Sequence, residues 1–444
     1  MSLQLSQLVS LIANATKLVE DTFAETARPN VPSLEDTTPH PLDSQMLSPE
    51  MREAIQMIKG ACAQLCALIA RPNRTMLNNF EPACIRVMVN FQIADHLINK
   101  PDGIHVSKLG ALSGAEPGKL GRIMQLLASK HCFHEVDRNV FANNCLSMML
   151  LSTNGFLPLA NHFTDISNKA LSMLTETLQD PHWGHSSSSL HAPFNYWSKY
   201  PGTIYSWYQS VVHEAEKGVH LGFAMKGWGD SIEMWAIVNA FLWCSLHDGA
   251  IVCDVGGGIS VVSLQLANAH PNLHIVLQDV PAQIKIAKNE IWPKSCLAAV
   301  KDGCVEFKAI DFFVESPVKG CDVYFLKNIL HNWPDNECKT ILKGVGDVML
   351  MNSRLLIFDY IIQHTNKDND ISQWPGLKLA PEPLLPNYGT GRMIQYNIDL
   401  NMMCITNSQE HSLNHFIELG KEAGLRFVRV WDAREASIIE FCLE

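Results

Sequence analysis

The second half of this chain alternates short apolar runs with stretches of helical periodicity, and that alternation leaves few folds open. Ile251 to Val255, His274 to Gln278, Val305 to Ala309, Asp322 to Leu326 and Leu355 to Phe358 have strand length and composition, and helical stretches separate most of them. A run that is apolar throughout needs cover on both faces, which helices supply when the strands are parallel. An α/β fold with a doubly wound, mainly parallel sheet is therefore expected over residues 193–444. In such sheets ligands bind beyond the C-terminal ends of the strands, so those ends are where function should be written.

The first run leads directly into Asp254-Val255-Gly256-Gly257-Gly258-Ile259-Ser260, followed by the helical stretch Val261 to Ala269. This is the setting of a nucleotide-type loop, where glycine lets a ligand approach the backbone. Asp279 ends the second run, where a carboxylate can accept both hydroxyls of a ribose. The third run leads to Asp311-Phe312-Phe313, an acid beside aromatics suited to an adenine. Each acid would also serve as a helix N-cap, but three successive acidic strand ends are poorly explained by capping alone. The fourth run, Val323 to Leu326, leads to His331 and is then stopped by Trp333, Pro334 and Asp335. His331 is thus a candidate base, although a histidine beside a tryptophan also fits a packed or capping residue.

At 444 residues and 47% hydrophobic, the chain has material for two or three domains and a large core. A net charge of -11 and a pI of about 5.9 argue against nucleic acid or an anionic membrane surface as partner. No apolar run reaches the ~18 to 20 residues of a membrane helix. The thirteen cysteines form no CxxC pair, which points to reduced thiols and a cytoplasmic protein. A small molecule is the expected ligand. His182, His185 and His191 surround a serine run, but their spacing matches no usual zinc site, so a solvated interdomain loop is expected there and no metal is.

Three segments are expected: residues 1–74, 75–192 and 193–444. In the first, a helix over residues 3–25 and a proline-rich linker over 27–47 precede a helix begun by Ser48 and Pro49. Its apolar stripe of Ile55, Ile58, Cys62, Leu65, Cys66 and Ile69 needs cover from a second subunit or from later helices. The second segment reads as a winged helix-turn-helix. Ser107 is expected to cap a helix through Leu112, Glu116 and Pro117 begin another through Ala128, and Phe133, Val136, Val140 and Phe141 flank the turn Asp137-Arg138-Asn139. Its second helix offers only Lys119, Arg122 and Lys130, so dimerisation and a substrate lid are favoured over DNA binding. Residues 368–397, rich in proline and glycine, are expected to form a loop over the site.

The glycine loop, Gln278-Asp279-Val280-Pro281, Asp311-Phe312, Leu326 to Asp335 and the segment Asp399 to Leu425 together resemble the plant caffeate-type and fungal O-methyltransferases that use S-adenosylmethionine. The resemblance covers roughly residues 75–440, and Ala380 to Arg392 looks especially like basidiomycete members. It implies a Rossmann-like class I methyltransferase sheet, an intertwined homodimer made by the winged-helix segment, and a role in fungal secondary metabolism. Asp254, Gly256, Gly258, Asp279, Asp311, Phe312 and Lys327 would then surround S-adenosylmethionine, leaving S-adenosylhomocysteine as product. His331 would be the base, flanked by Asp359 and Glu410. Met402, Asn332, Trp228, Asn195 and Tyr205 would meet the acceptor, although Met402 with Met403 also suits core packing and Asp359 a loop cap.

The chemistry suits those residue types. A phenol of pKa ~10 is a poor nucleophile at neutral pH, and an imidazole of pKa about 6.5 can take its proton. Carboxylates beside the imidazole would fix its tautomer and stabilise its cation. Two positions depart from the family pattern: Ser260 stands where a further glycine is frequent, and Asn332 where an aspartate often follows the base. A non-methylating enzyme of dehydratase or pericyclase type on the same fold is the alternative, and a metabolite-sensing winged-helix regulator a third reading.

Overall fold

The computed structural model describes residues 2–69, 81–210, 236–367 and 372–444. Contacts divide the chain into two units. One holds the described residues within 2–169 together with 381–391, and the other those within 170–380 and 392–444. Among the described residues, no helix is long and apolar enough to cross a membrane.

In the first unit, β1 (Ile104–His105), β2 (His134–Asp137) and β3 (Val140–Ala142) form a small antiparallel sheet in the order β1-β3-β2. The helices Val106–Ser113 and Pro117–Ser129 precede the β2-β3 hairpin, and Met88, Leu109, Leu120, Met124, Phe133 and Phe141 fill the core between them. Glu116 caps the second helix by accepting from the amides of Gly118 and Lys119 at 3.0 and 2.7 Å. The first helix is capped differently from the sequence reading. His105 Nδ1, rather than Ser107, accepts an amide, that of Ser107 at 3.3 Å. Lys130, one of the cations on which DNA binding would depend, is 2.5 Å from Glu81.

Ser48 Oγ accepts from the Met51 amide at 3.1 Å and starts the helix Pro49–Ile69. Residues 381–391 pack on this helix, so closely that Gly60 abuts the Tyr388 carbonyl and Gly391 the Gln56 carbonyl, with no room for a side chain at either. On the apolar stripe Ile55, Ile58 and Leu65 are half-buried, whereas Cys62, Cys66 and Ile69 are exposed. Burial therefore fades along the stripe toward its C-terminal end.

The second unit is built on a seven-stranded sheet. Its strands are β4 (Ile251–Val255), β5 (His274–Asp279), β6 (Val305–Ala309), β7 (Val323–Lys327), β8 (Arg354–Asp359), β9 (Leu425–Ala433) and β10 (Ala436–Leu443), in the order β6-β5-β4-β7-β8-β10-β9. The first five are parallel, and β10 joins β8 and β9 antiparallel. Strands β4 and β7 lie in the middle with almost every residue buried, as apolar runs covered on both faces must. Strand order runs outward in opposite directions from β4 and β7, which opens a crevice beyond their C-terminal ends.

The five parallel strands fall where the apolar runs predict, to within a residue or two. The β9-β10 hairpin, turned at Arg434 with φ +78°, was not anticipated. Strand β10 is buried on both faces yet carries Glu440, which survives there because Arg354 Nε at 3.1 Å and Trp431 Nε1 at 2.9 Å pair with its carboxylate. The helix Met393–Thr406 also begins inside the segment read as a loop.

Gly420, in the helix Leu413–Glu422, lies against the Phe441 ring of β10 with no space for a Cβ. Gly420→Val should therefore cost about 2 kcal/mol through overpacking. Urea denaturation will read this as a lower midpoint, and an unchanged midpoint would mean that helix and strand separate freely.

Candidate active site

The crevice is lined first by the glycine loop. The amides of Gly256 and Gly257 both donate to the Gln278 carbonyl, at 2.8 and 3.3 Å, so the loop turns back over β5. A Cβ on Gly257 would lie 2.5 Å from Asp254 Oδ2 and Leu277 Cδ1, which makes this residue the packing glycine of the loop. Gly258 differs: it has φ +57°, nothing within 4 Å of where its Cβ would be, and an amide that donates to Asp279 Oδ2 at 2.8 Å. Backbone at Gly258 thus faces open space beside a carboxylate that already orients the loop. Asp279 Oδ1 accepts from the Val280 amide at 2.7 Å, and burial pushes its carboxyl above the usual range.

Asp254 lies beneath the loop. Its Oδ2 accepts from Ser263 Oγ at 2.5 Å, and burial pushes its carboxyl up to about 6. Asp311 is exposed and its Oδ1 accepts from the Phe313 amide at 3.0 Å, the local turn cap that the sequence left open. Phe312 lies 3.6 Å from the Cβ position of Gly256, so an aromatic ring does border the loop. Trp333 extends that border. Its ring centroid is 4.7 Å from Phe313, 6.3 Å from Phe312 and 6.1 Å from Tyr205. Tyr205 thus lies at the same corner, where burial, aided by Asp279, raises its hydroxyl well above its usual value.

The second part of the crevice follows β7. Asn328, with φ +51°, donates its amide to the Phe358 carbonyl at 3.0 Å and turns the chain into the short turn Leu330–Asn332. His331 in that turn is buried, with Nδ1 2.7 Å from Glu410 Oε1 and 4.0 Å from Asp359 Oδ1. Ser408 Oγ donates to the His331 carbonyl, and the Glu410 amide donates to Asp399 Oδ1 at 2.8 Å, so both partners are held from outside. Asn332 Nδ2 donates to the Asn328 carbonyl at 2.6 Å and closes the turn.

Electrostatics here are governed by burial. It lowers the His331 imidazole below its ordinary value, with Asp359 opposing and Lys327 assisting. It raises the Glu410 carboxyl well above the usual range, with Asp399 adding to the effect. Both directions favour an uncharged His331-Glu410 pair at rest. Lys327, at the end of β7, is pushed down to about 8 despite Asp254 and Asp359, and Asp359 is pushed up to about 8. Neither Asp359 oxygen has a hydrogen-bond partner, which leaves that carboxyl ready to respond to charge on its neighbours.

The remaining sequence candidates are less uniform. Met402 is half-buried on the helix Met393–Thr406, which packs against the His331 turn and the helix Pro193–Ser198. Asn195 is buried, and its Nδ2 donates to the carbonyls of Tyr200 and Gly202 at 3.0 and 2.8 Å; its Oδ1 has no partner. Trp228 lies outside the described residues. The histidine loop is more tied down than its composition implies: Asn407 Nδ2 donates to the carbonyls of Ser186 and Ser188 at 2.9 Å, and Trp183 lies 4.7 Å from His191.

Residues 224–426 match the O-methyltransferase domain family. Over 442 residues the chain is 36% identical to 3-O-methyltransferase 2 of Phanerochaete chrysosporium, covering 98% of this chain and 97% of that one. The chain belongs to the O-methyltransferase family. Among solved structures, the mitomycin 7-O-methyltransferase MmcR superposes with a TM-score of 0.67 at 22% identity, over 86% of this chain and 100% of that one. A pericyclic reaction enzyme superposes with a TM-score of 0.69 at 16% identity, over 97% and 99%, which shows a shared fold.

As an O-methyltransferase the protein uses S-adenosylmethionine to methylate small molecules. The loop fits that group, since open backbone at Gly258, the Asp279 carboxylate and the Phe312 ring converge on one end of the crevice. Several residues that build the site escaped the sequence reading. Ser263 and Ser408 act through single hydroxyl bonds, which leave no periodic trace, while Asn328 belongs to the non-glycine types enriched at positive φ, a signal that could have marked its turn.

Ser260 of this O-methyltransferase has φ +82°, is fully buried, and its Oγ has no partner. A left-handed non-glycine residue costs roughly 1–2 kcal/mol. Ser260→Gly relieves that strain and removes the unpaired hydroxyl, against an entropic cost of about 0.4–1 kcal/mol. A gain of about 1 kcal/mol in unfolding free energy is expected, and a loss would show that the hydroxyl has a structural partner.

Proposed function

We propose that the enzyme methylates a hydroxyl of an aromatic or polyketide-like small molecule, with His331 as the base that accepts the hydroxyl proton. The observation that carries this reading is the buried imidazole at the crevice edge, 2.7 Å from Glu410 and 4.0 Å from Asp359. S-adenosylmethionine, when bound, supplies a methyl group already activated by its positive sulfur, so the chain need add only placement and a base. Glu410 occupies Nδ1 and leaves Nε2 of His331 to receive the proton. Burial keeps the resting imidazole neutral, hence able to accept. Once charged, the ring lies beside Asp359 and draws that carboxyl toward its charged form, which offsets the new cation, while Glu410 prevents the ring from turning. Gly256, Gly258, Asp279, Asp311, Phe312 and Lys327 are assigned to the cofactor, and Met402, Asn195, Tyr205, Trp228 and Asn332 to the acceptor pocket. The numbered oxygen in the name of the Phanerochaete relative supports oxygen as the atom methylated.

His331→Ala should lower kcat by about 10² to 10⁴ with acceptor and donor saturating. Because the imidazole is lowered from its ordinary value of about 6.5, it is protonated, and activity lost, only as the pH falls below that value. The acid limb of the kcat profile should therefore lie below about pH 6.5 and vanish in His331→Ala. Undiminished transfer by that variant would remove the base assignment. A product lacking the mass of one added methyl group would instead favour a non-methylating reaction on this fold.

The same reading makes the protein a cytoplasmic homodimer, with the segment 75–192 as its dimerisation module between an N-terminal helical segment, 1–74, and a catalytic one, 193–444. Exposure of Ile69 at 69% and Leu68 at 49%, at the end of an apolar stripe, supports a partner surface in the first unit, and the free cysteines suit a reducing compartment. Light scattering at micromolar concentration should give twice the 49.5 kDa of one chain. A monomeric mass would reject the dimer.

A further inference from the structure

A second cluster of ligating side chains has no part in that chemistry. Asp335 opens the helix Asp335–Gly346, and His411 and His415 flank the N-cap Ser412 of the helix Leu413–Glu422. Asp335 Oδ2 is 3.1 Å from His415 Nε2, and Oδ1 is 3.7 Å from His411 Nε2. One donor atom from each of the three lies within 4.8 Å of the others. Tetrahedral zinc, with nitrogen and oxygen ligands at about 2.0–2.2 Å, holds its ligand atoms about 3.3–3.6 Å apart. The two carboxylate-to-imidazole distances, each to a different Asp335 oxygen, lie close to that range, and a small side-chain adjustment would bring the three donors to it.

An ordinary ion pair explains Asp335 with His415. His411 is held less closely: its side chain is 0% exposed, its nearest partner is Asp335 Oδ1 at 3.7 Å, beyond hydrogen-bond reach, and neither ring nitrogen makes a hydrogen bond. A buried polar group left unpaired costs about 1–3 kcal/mol, and ligation would satisfy one of those nitrogens. Access is open from the other side, because the Asp335 side chain is 44% exposed and that of His415 26%. Two imidazoles and one carboxylate form a donor set suited to zinc and its borderline neighbours rather than to calcium or magnesium. Gln409 Nε2 donates to Asp335 Oδ1 at 3.3 Å, which leaves a lone pair on that oxygen for a metal, and water would complete the coordination.

We propose that Asp335, His411 and His415 bind a divalent transition-metal ion of the zinc class. The ion would act as a brace and not as a reactant. Asp335 follows His331 by four residues and His411 follows Glu410 directly, so one ion would tie together the two segments that hold the His331-Glu410 hydrogen bond.

Cobalt(II) titration of the full-length protein, freed of metal by chelation, tests this through the visible absorption of four-coordinate cobalt. One equivalent should produce that absorption and zinc should abolish it. Asp335→Asn and His415→Ala should bind at least tenfold more weakly, while His331→Ala, which alters the other His-carboxylate cluster, should bind as the wild type does. Asp335 is half-exposed, so its variant retains the fold even where a histidine variant fails. Zinc should likewise raise the thermal midpoint of the wild type and not of Asp335→Asn. No cobalt absorption in the wild type, or equal binding by Asp335→Asn, would overturn the proposal.

Discussion

Everything at this site depends on the parallel pairing of β4 with β7, which sets Cys253 opposite Tyr324 in the middle of the sheet. Connections leave these two strands in opposite directions, so the loops after them diverge and leave a crevice that no crossover fills. Burial on both faces then fixes where each strand must stop, because only its end meets polar groups. The glycine loop and the His331 turn follow from that one register. They also touch: a side chain on Gly256 would strike Ile329, two residues before His331. The requirement for glycine there comes as much from the His331 turn as from any ligand.

Within the crevice, charge is arranged by desolvation rather than by pairing. Lys327, His331, Asp359 and Glu410 are all buried or nearly so, and burial drives each toward its neutral form. A cluster of that kind is poised, since a proton arriving at His331 changes the balance of every neighbour. Asp359 matters most in this respect. Neither of its oxygens makes a close hydrogen bond, so the charges on His331 and Lys327 weigh most, after burial and beside Glu410, on its protonation. Glu410 has the complementary role, because its geometry is set by the Asp399 contact to its amide and it can orient a ring without needing full charge.

The parallel core of the fold was legible because an apolar run of five residues has few alternatives once helices separate it from the next. The hairpin of β9 and β10 was not, since a buried strand that carries Glu440 breaks the pattern by which strands are read, and the Arg354 and Trp431 contacts that excuse it are far away in sequence. At the site, strand-end residues were readable from position: His331, Asp279 and the glycine loop each follow an apolar run. What position could not reveal was use. Asp254 and Asp311 look alike in sequence, yet one is buried under the loop on Ser263 and the other caps an exposed turn. Capping and ligand binding call for the same residue type, so only the surroundings separate them.

The two departures from the family pattern are of different kinds. Ser260 imposes a backbone conformation that serine resists and buries a hydroxyl without a partner, so it is a local cost that the rest of the loop must carry. Asn332 instead makes a bond that an aspartate cannot make, since its amide donates to the Asn328 carbonyl, and a carboxylate there would set two acceptors against each other. Asn328 is itself in the left-handed region and carries the chain toward His331. An amide in place of an acid therefore trades a charge beside His331 for a clamp on the turn that holds it. That clamp lies in the turn that carries His331, so position 332 bears on the geometry of His331 as well as on the acceptor pocket proposed for it.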